Sequence, residues 1–164
     1  MQLVVEETLA GRGYRNYETS AFARPGQECR HNLNYWRFGD YLGIGPGAHG
    51  KLSIPDRIVR EVRVKHPRDY LEAVSRGCQV QESHAVPSSA LPFEFMMNAL
   101  RLTDGFPLRL FEERTGVSLA AALPGLDQAE ARGLIVRDHE RAVPTLLGRR
   151  FLNELLQIFL APPC

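Results

Sequence analysis

The chain has only three cysteines in 164 residues, Cys29, Cys78 and Cys164, and no two of them stand in a CxxC spacing. An odd, scattered set argues against a disulfide framework. It also argues against a closed zinc or iron–sulfur site built from this chain alone, because such sites draw paired ligands from one turn. Long apolar runs are missing too. The longest, such as "LLQIFL", falls far short of the ~20 residues a membrane-spanning helix needs. A one-sided charge is absent, since 20 basic side chains face 19 acidic ones and the net charge is +1. No global field therefore draws the chain to nucleic acid or to an anionic membrane. The opening "MQLVVEETLAGRG" carries acidic residues where a secretory signal would be basic and then apolar. The expectation is a cytoplasmic protein without a transmembrane segment.

What is present is a globular composition, 44% hydrophobic, enough to pack one ordinary core. Gln2 to Leu9 reads as the last turns of a helix stopped by Gly11 and Gly13, so the chain looks as if it opens inside a helix. "YRNYETSAF" alternates as a strand and ends before a Pro25-Gly26 turn. "HNLNYWRF" lacks breakers and suits a short helix, "YLGIG" a brief strand, and "DRIVREVRVK" a half-buried strand with Ile58, Val62 and Val64 on one face. Pro67 to Ser75 has proline at its start and Gly77 just beyond its end, which predicts a helix. From about Ser88 the chain turns helical, with segments parted at Asp104-Gly105, Gly116 and Pro124-Gly125. "GLIVRDHERAVP" predicts a hairpin turning over Asp138 to Arg141. "TLLGRRFLNELLQIFL" predicts one capped helix with Leu147, Phe151, Leu155 and Ile158 in a stripe. Helix, helix, hairpin, helix is a winged-helix-like order.

Two segments carry candidate chemistry. If the first is helical, His31 and Tyr35 share a face with Asn32 and Trp36 beside them. An imidazole, a carboxamide, a phenol and an indole then form a wall suited to a flat conjugated ligand, and imidazole or tyrosinate can ligate heme iron. The same spacing suits Tyr35 and Trp36 as core residues with His31 and Asn32 capping backbone, and spacing does not decide between the two. The second segment, "GIGPGAHG", offers Gly43, Gly45 and Gly47, with His49, as a loop that could cradle an anion or simply reverse the chain. Pro46 removes one donor and the match to GxGxxG is imperfect, which favours the reversal. No carboxylate pair and no Ser/His/Asp or Cys/His order rises above chance. His66, His84 and His139 sit beside proline or turns and should face solvent. Arg132, Arg137, Arg141, Arg149 and Arg150 permit a nucleic-acid-binding module, but Asp138, Glu140 and Glu154 interrupt the patch.

"GYRNYETSAFARPG", "CRHNLNYWRFGDYLGIGPGAHG" and "FEFMMNALRLTDGFP...FEERTG" together resemble the C-terminal half of the HemW family, radical-SAM proteins often called oxygen-independent coproporphyrinogen III oxidase-like. The family's HNxxYW motif is matched at His31, Asn32, Tyr35 and Trp36. The resemblance implies an α+β fold: the terminal strands and helix of a partial radical-SAM (β/α) barrel over residues 1–66, then a mainly helical, winged-helix-like C-terminal domain of the HemN type over 67–164. It implies a heme chaperone that binds heme and passes it to an acceptor protein. His31 would be the iron ligand, or Tyr35 in its place, and Trp36 and Asn32 would stack on and position the porphyrin. A coproporphyrinogen III oxidase of porphyrin biosynthesis is the enzymatic alternative. Family members hold a 4Fe-4S cluster on a CxxxCxxC motif and bind S-adenosylmethionine at its open iron. This chain has no such motif, so no turnover is expected from it by itself.

Overall fold

The computed structural model describes residues 2–160, and Cys164 lies outside them. The described residues form two compact units, one made of those up to Phe38 together with those from Ser89 on, the other of Gly39–Ser88. Among the described residues the architecture is α+β, with eight α-helices and three small antiparallel sheets.

In the first unit, α1 (Gln2–Ala10) ends where Gly11 and Tyr14 donate back to Glu7 and Leu9 at 3.0 Å. The alternating segment that reads as one strand is a hairpin, β1 (Arg15–Glu18) with β2 (Ala21–Ala23). Thr19 and Ser20 make its bend, and the Asn16 amide ties it by donating to the carbonyls of Glu18 and Ala21. The Pro25-Gly26 turn forms as expected, with Gly26 at φ 79° and Gln27 donating to Arg24. Then α2 (Arg30–Trp36) begins at Cys29 without a side-chain cap. A non-glycine residue, Phe38, follows in the left-handed region at φ 55°. Its burial, at 1% exposure, offsets the strain of that conformation.

Past Ser89 the order is α4 (Leu91–Ala99), β6 (Phe106–Pro107), α5 (Arg109–Thr115), α6 (Leu123–Ala131), β7 (Ile135–Arg137), β8 (Arg141–Pro144), α7 (Leu146–Arg150) and α8 (Leu152–Gln157). The strands pair in the order β6-β8-β7. Leu91, Phe95, Met96 and Ala99, buried at helical spacing, turn one face of α4 into the core. Phe95 packs edge-on against Phe38, Phe106 and Phe111 at 5.7, 5.1 and 5.2 Å. Gly105 must be glycine: it stands at φ 63°, and a Cβ there would lie 2.7 Å from Val143 Cα on β8. The expected single C-terminal helix is broken at Phe151. Thr145 caps α7 by accepting from Gly148, and Gly148 lies against the Leu134 backbone. That contact turns Leu147 and Phe151 outward while Leu155 and Phe159 are buried, so the expected stripe is replaced by another.

In the second unit, β3 (His49–Ile54), β4 (Arg57–Arg63) and β5 (Val80–Ala85) form an antiparallel sheet in that order, and α3 (Pro67–Ser75) joins the last two. Ile58 and Val62 are buried as the alternation requires. "YLGIG" is not a strand: Tyr41 makes an isolated bridge to Lys51, and Leu42 and Ile44 are 66% and 86% exposed. With Leu42 and Ile44 facing solvent, the pairing with β3 stops at that single bridge. Lys51, 1% exposed, is the polar exception in this unit's interior; its ammonium donates to Asp40 at 2.9 Å and to Ser53 at 3.2 Å.

Asp40 gives a pH prediction. Partial burial pushes its carboxyl up, but the bonds from the Lys51 ammonium and from the Ser53 amide and hydroxyl outweigh it and hold the group below its ordinary value of 3.8. A carboxylate whose folded value is depressed adds stability above its unfolded value, and loses it as pH falls through the folded one. Asp40→Asn is therefore expected to cost about 1–2 kcal/mol at pH 7, discounted because the side chain is 42% exposed. In urea unfolding the gap between variant and parent should narrow as pH falls below 3.8, and a gap that persists unchanged at the lowest pH at which the parent still folds would contradict this.

Candidate functional site

The motif residues lie on α2, a helix of seven residues none of which is fully buried. Helical spacing places His31 beside Tyr35, and the two rings meet edge-on with centroids 4.7 Å apart at 82°. Tyr35 and Trp36 follow at 6.4 Å. The structure thus brings together three of the four sequence candidates as a continuous aromatic surface. His31 is exposed, and its imidazole makes no hydrogen bond among the described residues. Tyr35 and Trp36 are half-buried, so neither is the core residue that the plainer reading of the spacing expects.

Asn32 is committed elsewhere. Its amide donates to the Tyr17 hydroxyl at 3.3 Å, which ties α2 to β1. Trp36 is committed on one face, where the Arg101 guanidinium stands 4.3 Å from the ring centroid. Arg101 is held in turn by Glu18, 3.2 Å away, whose other oxygen accepts from Ser20 at 3.1 Å. Glu18 is 2% exposed. The indole Nε1 is buried and lacks a hydrogen-bond partner, an unmet donor beside the aromatic surface. Sequence reasoning missed Tyr17, Glu18 and Arg101 as parts of this site, because they come from segments up to 83 residues apart and nothing local marks them.

The glycine segment lies in the other unit. Two of its amides donate within the fold: Gly45 donates to the Tyr70 hydroxyl at 3.2 Å and Gly47 to the Val64 carbonyl at 2.9 Å. Gly43 is buried where a Cβ would lie 2.7 Å from the His49 carbonyl carbon, and Gly45 and Gly47 have φ 105° and 68°. The segment is a chain reversal that delivers His49, exposed, into β3. Pro46 carries no N–H, so it adds no donor to the loop.

His66, His84 and His139 are exposed as expected. Among the described residues no three His, Cys, Asp or Glu side chains gather to hold a metal ion, and no helix is long and apolar enough to cross a membrane. Of the basic candidates in the C-terminal hairpin, Arg137 is neutralised by Asp127 and Glu130 at 2.5 and 3.2 Å. Arg141 donates to the Asp104 carbonyl at 2.6 Å.

Comparison with known proteins gives the class first. The fold is shared with coproporphyrinogen III oxidase (HemN) from Escherichia coli, a radical-SAM enzyme, at a TM-score of 0.66 and 18% identity over 96% of this chain and 39% of that one. Residues 86–151 match the HemN C-terminal domain family. By sequence the chain is similar to proteins described as the heme chaperone HemW. It is 44% identical over 156 residues to the heme chaperone HemW of Escherichia coli K12, covering 94% of this chain and 40% of that protein. To the heme chaperone HemW of Haemophilus influenzae it is 47% identical over 155 residues, covering 94% and 39%, and to that of Bacillus subtilis 34% over 163 residues, covering 98% and 42%. The chain spans about two fifths of the length of these relatives.

Proposed function

We propose that the chain is the heme-binding C-terminal part of a radical-SAM heme chaperone, and that heme is its cargo, taken up on α2 and passed to an acceptor protein. The observation that carries this reading is the exposed His31 imidazole, without a hydrogen bond among the described residues and flanked edge-on by Tyr35. A neutral imidazole with an open nitrogen is a good axial ligand for iron. Tyr35, against the same ring, is the alternative ligand. Trp36 offers the porphyrin the face that Arg101 leaves uncovered. Asn32 supports the wall indirectly, through Tyr17.

Chemistry suited to transfer follows from the exposure. A heme held by one axial ligand on a short surface helix keeps its other axial position open to a ligand from the acceptor. Exchange then needs no unfolding. In this reading residues 1–66 complete a radical-SAM barrel and residues 67–164 form a winged-helix-like domain of the HemN type. A 4Fe-4S cluster and S-adenosylmethionine would be held by barrel residues outside this chain. The two exposed free thiols, Cys29 and Cys78, suit a reducing cytoplasm.

Titration with hemin tests the reading. The parent is expected to give a Soret band that saturates at one heme per chain, and His31→Ala should weaken binding at least tenfold. An unchanged band and affinity in His31→Ala would remove His31 from the role.

A further inference from the structure

A second candidate site lies on the other side of α2. Residues 33 and 37 stand one turn apart on the helix and roughly opposite 31 and 35. Leu33 and Arg37 there line a cleft of about 530 Å³ shared with β1, β6 and α5. Its volume falls in the range of roughly 300–1,000 Å³ in which organic ligands are bound. The floor is apolar, made by Leu33, Leu102, Phe106 and Leu110, of which Leu102 and Phe106 are buried. At the rim stand Arg37 and Arg114, both exposed and neither engaged in an ion pair among the described residues. Arg141 adds a third guanidinium but is already bonded to the Asp104 carbonyl, and Glu28 and Asp104 are also among the lining residues. Three cationic side chains against two anionic ones among the lining residues, with Arg37 and Arg114 unengaged, leave the cleft suited to a guest that brings its own negative charge.

The Tyr17 hydroxyl supplies a directional contact. Tyr17 is one of the lining residues, and its hydroxyl accepts the Asn32 amide at 3.3 Å, so its own proton is left to donate.

We propose that this cleft binds an organic carboxylate with an apolar body, the body on the leucine and phenylalanine floor and the carboxylate between Arg37 and Arg114 with the Tyr17 hydroxyl donating to it. Asn32 is then a positioning residue, which gives this amide of the HNxxYW motif a task apart from iron. The same chemistry is offered by the propionate edge of a tetrapyrrole and by a fatty acid. The inference is independent of heme ligation by His31, because its probes contain no iron.

Binding of mesoporphyrin IX, its dimethyl ester and decanoate to the chain, followed by fluorescence and calorimetry, tests it. Saturable binding of mesoporphyrin or decanoate is expected, and which of the two binds identifies the source of the carboxylate. Arg37→Gln/Arg114→Gln should weaken it at least tenfold, and the ester should bind no better to the parent than to that variant. Tyr17→Phe should weaken binding about threefold or more, and adding Asn32→Ala should cost little further, since the two act through one hydroxyl. Both arginines are exposed, and a thermal melt of the double variant, expected to match the parent, checks that folding is intact. Failure of both acids to bind, or equal affinity in the arginine variant, would overturn the proposal.

Discussion

Phe95→Ala is expected to cost the unit that contains it about 4 kcal/mol, the range measured for deleting a buried phenylalanine being ~3–5 kcal/mol. Phe95 has no exposed surface, and three other rings, Phe38, Phe106 and Phe111, stack edge-on against it within 5.7 Å. The loss therefore combines transfer of the ring, the cavity left and three edge-to-face contacts worth about 0.5–1.5 kcal/mol apiece. Against a total stability of roughly 5–15 kcal/mol, that brings the unit close to unfolding at ordinary temperature. The single tryptophan, Trp36, lies in this unit, so its fluorescence in urea reports the change. Phe95→Leu keeps most of the volume and should cost clearly less. A Phe95→Ala variant within 1 kcal/mol of the parent would show that this cluster is not the centre of the core.

Arg101→Met should destabilise the same unit by about 3 kcal/mol. Removing one partner of a buried ion pair leaves the other charge without compensation, at a cost of ~3–5 kcal/mol. Glu18 is the deeper partner at 2% exposure, against 27% for Arg101, and Ser20 alone would remain on its carboxylate. The low end of the range applies because Arg101 is part-exposed and solvent already screens it. Adding Glu18→Gln to Arg101→Met removes the stranded charge, and most of the loss should return, a non-additivity that a double-mutant cycle reads directly. Trp36 emission should also shift in Arg101→Met, because the guanidinium leaves the indole face. Simple addition of the two single effects would contradict the pairing.

The elements with strong local punctuation were legible in the sequence. Proline and glycine bounded α3 at the residues the structure shows, Pro67–Ser75, and the hairpin of β7 and β8 turned where Asp138 to Arg141 predicted. Alternation found Ile58 and Val62 on β4. Elements without a local signal escaped. Every residue of β5 is exposed, so "VQESHA" shows no alternation. Inward-facing Lys51 disguised β3, since a polar residue at a core position reads as solvent-facing until its carboxylate partner is known. The helix after Thr145 looked continuous because its break depends on Gly148 meeting Leu134, a contact between distant segments.

The candidate site divides in the same way. His31 beside Tyr35 follows from helical spacing, and the structure places the rings together. The bond from Asn32 to Tyr17 and the guanidinium of Arg101 on Trp36 depend on tertiary packing, which spacing within one helix cannot carry. The glycine segment admitted a chain reversal and an anion cradle, with Pro46 favouring the reversal, and the Gly45 and Gly47 amides donate within the fold.

Ligation of cargo iron at position 31 is the proposition on which the functional account rests, and chemical rescue tests it most directly. The ferric heme complex of His31→Ala would be followed by electron paramagnetic resonance as free imidazole is added. The account predicts that the parent's spectrum is lost on substitution and returns with imidazole. A variant whose spectrum matches the parent before any imidazole is added would contradict it.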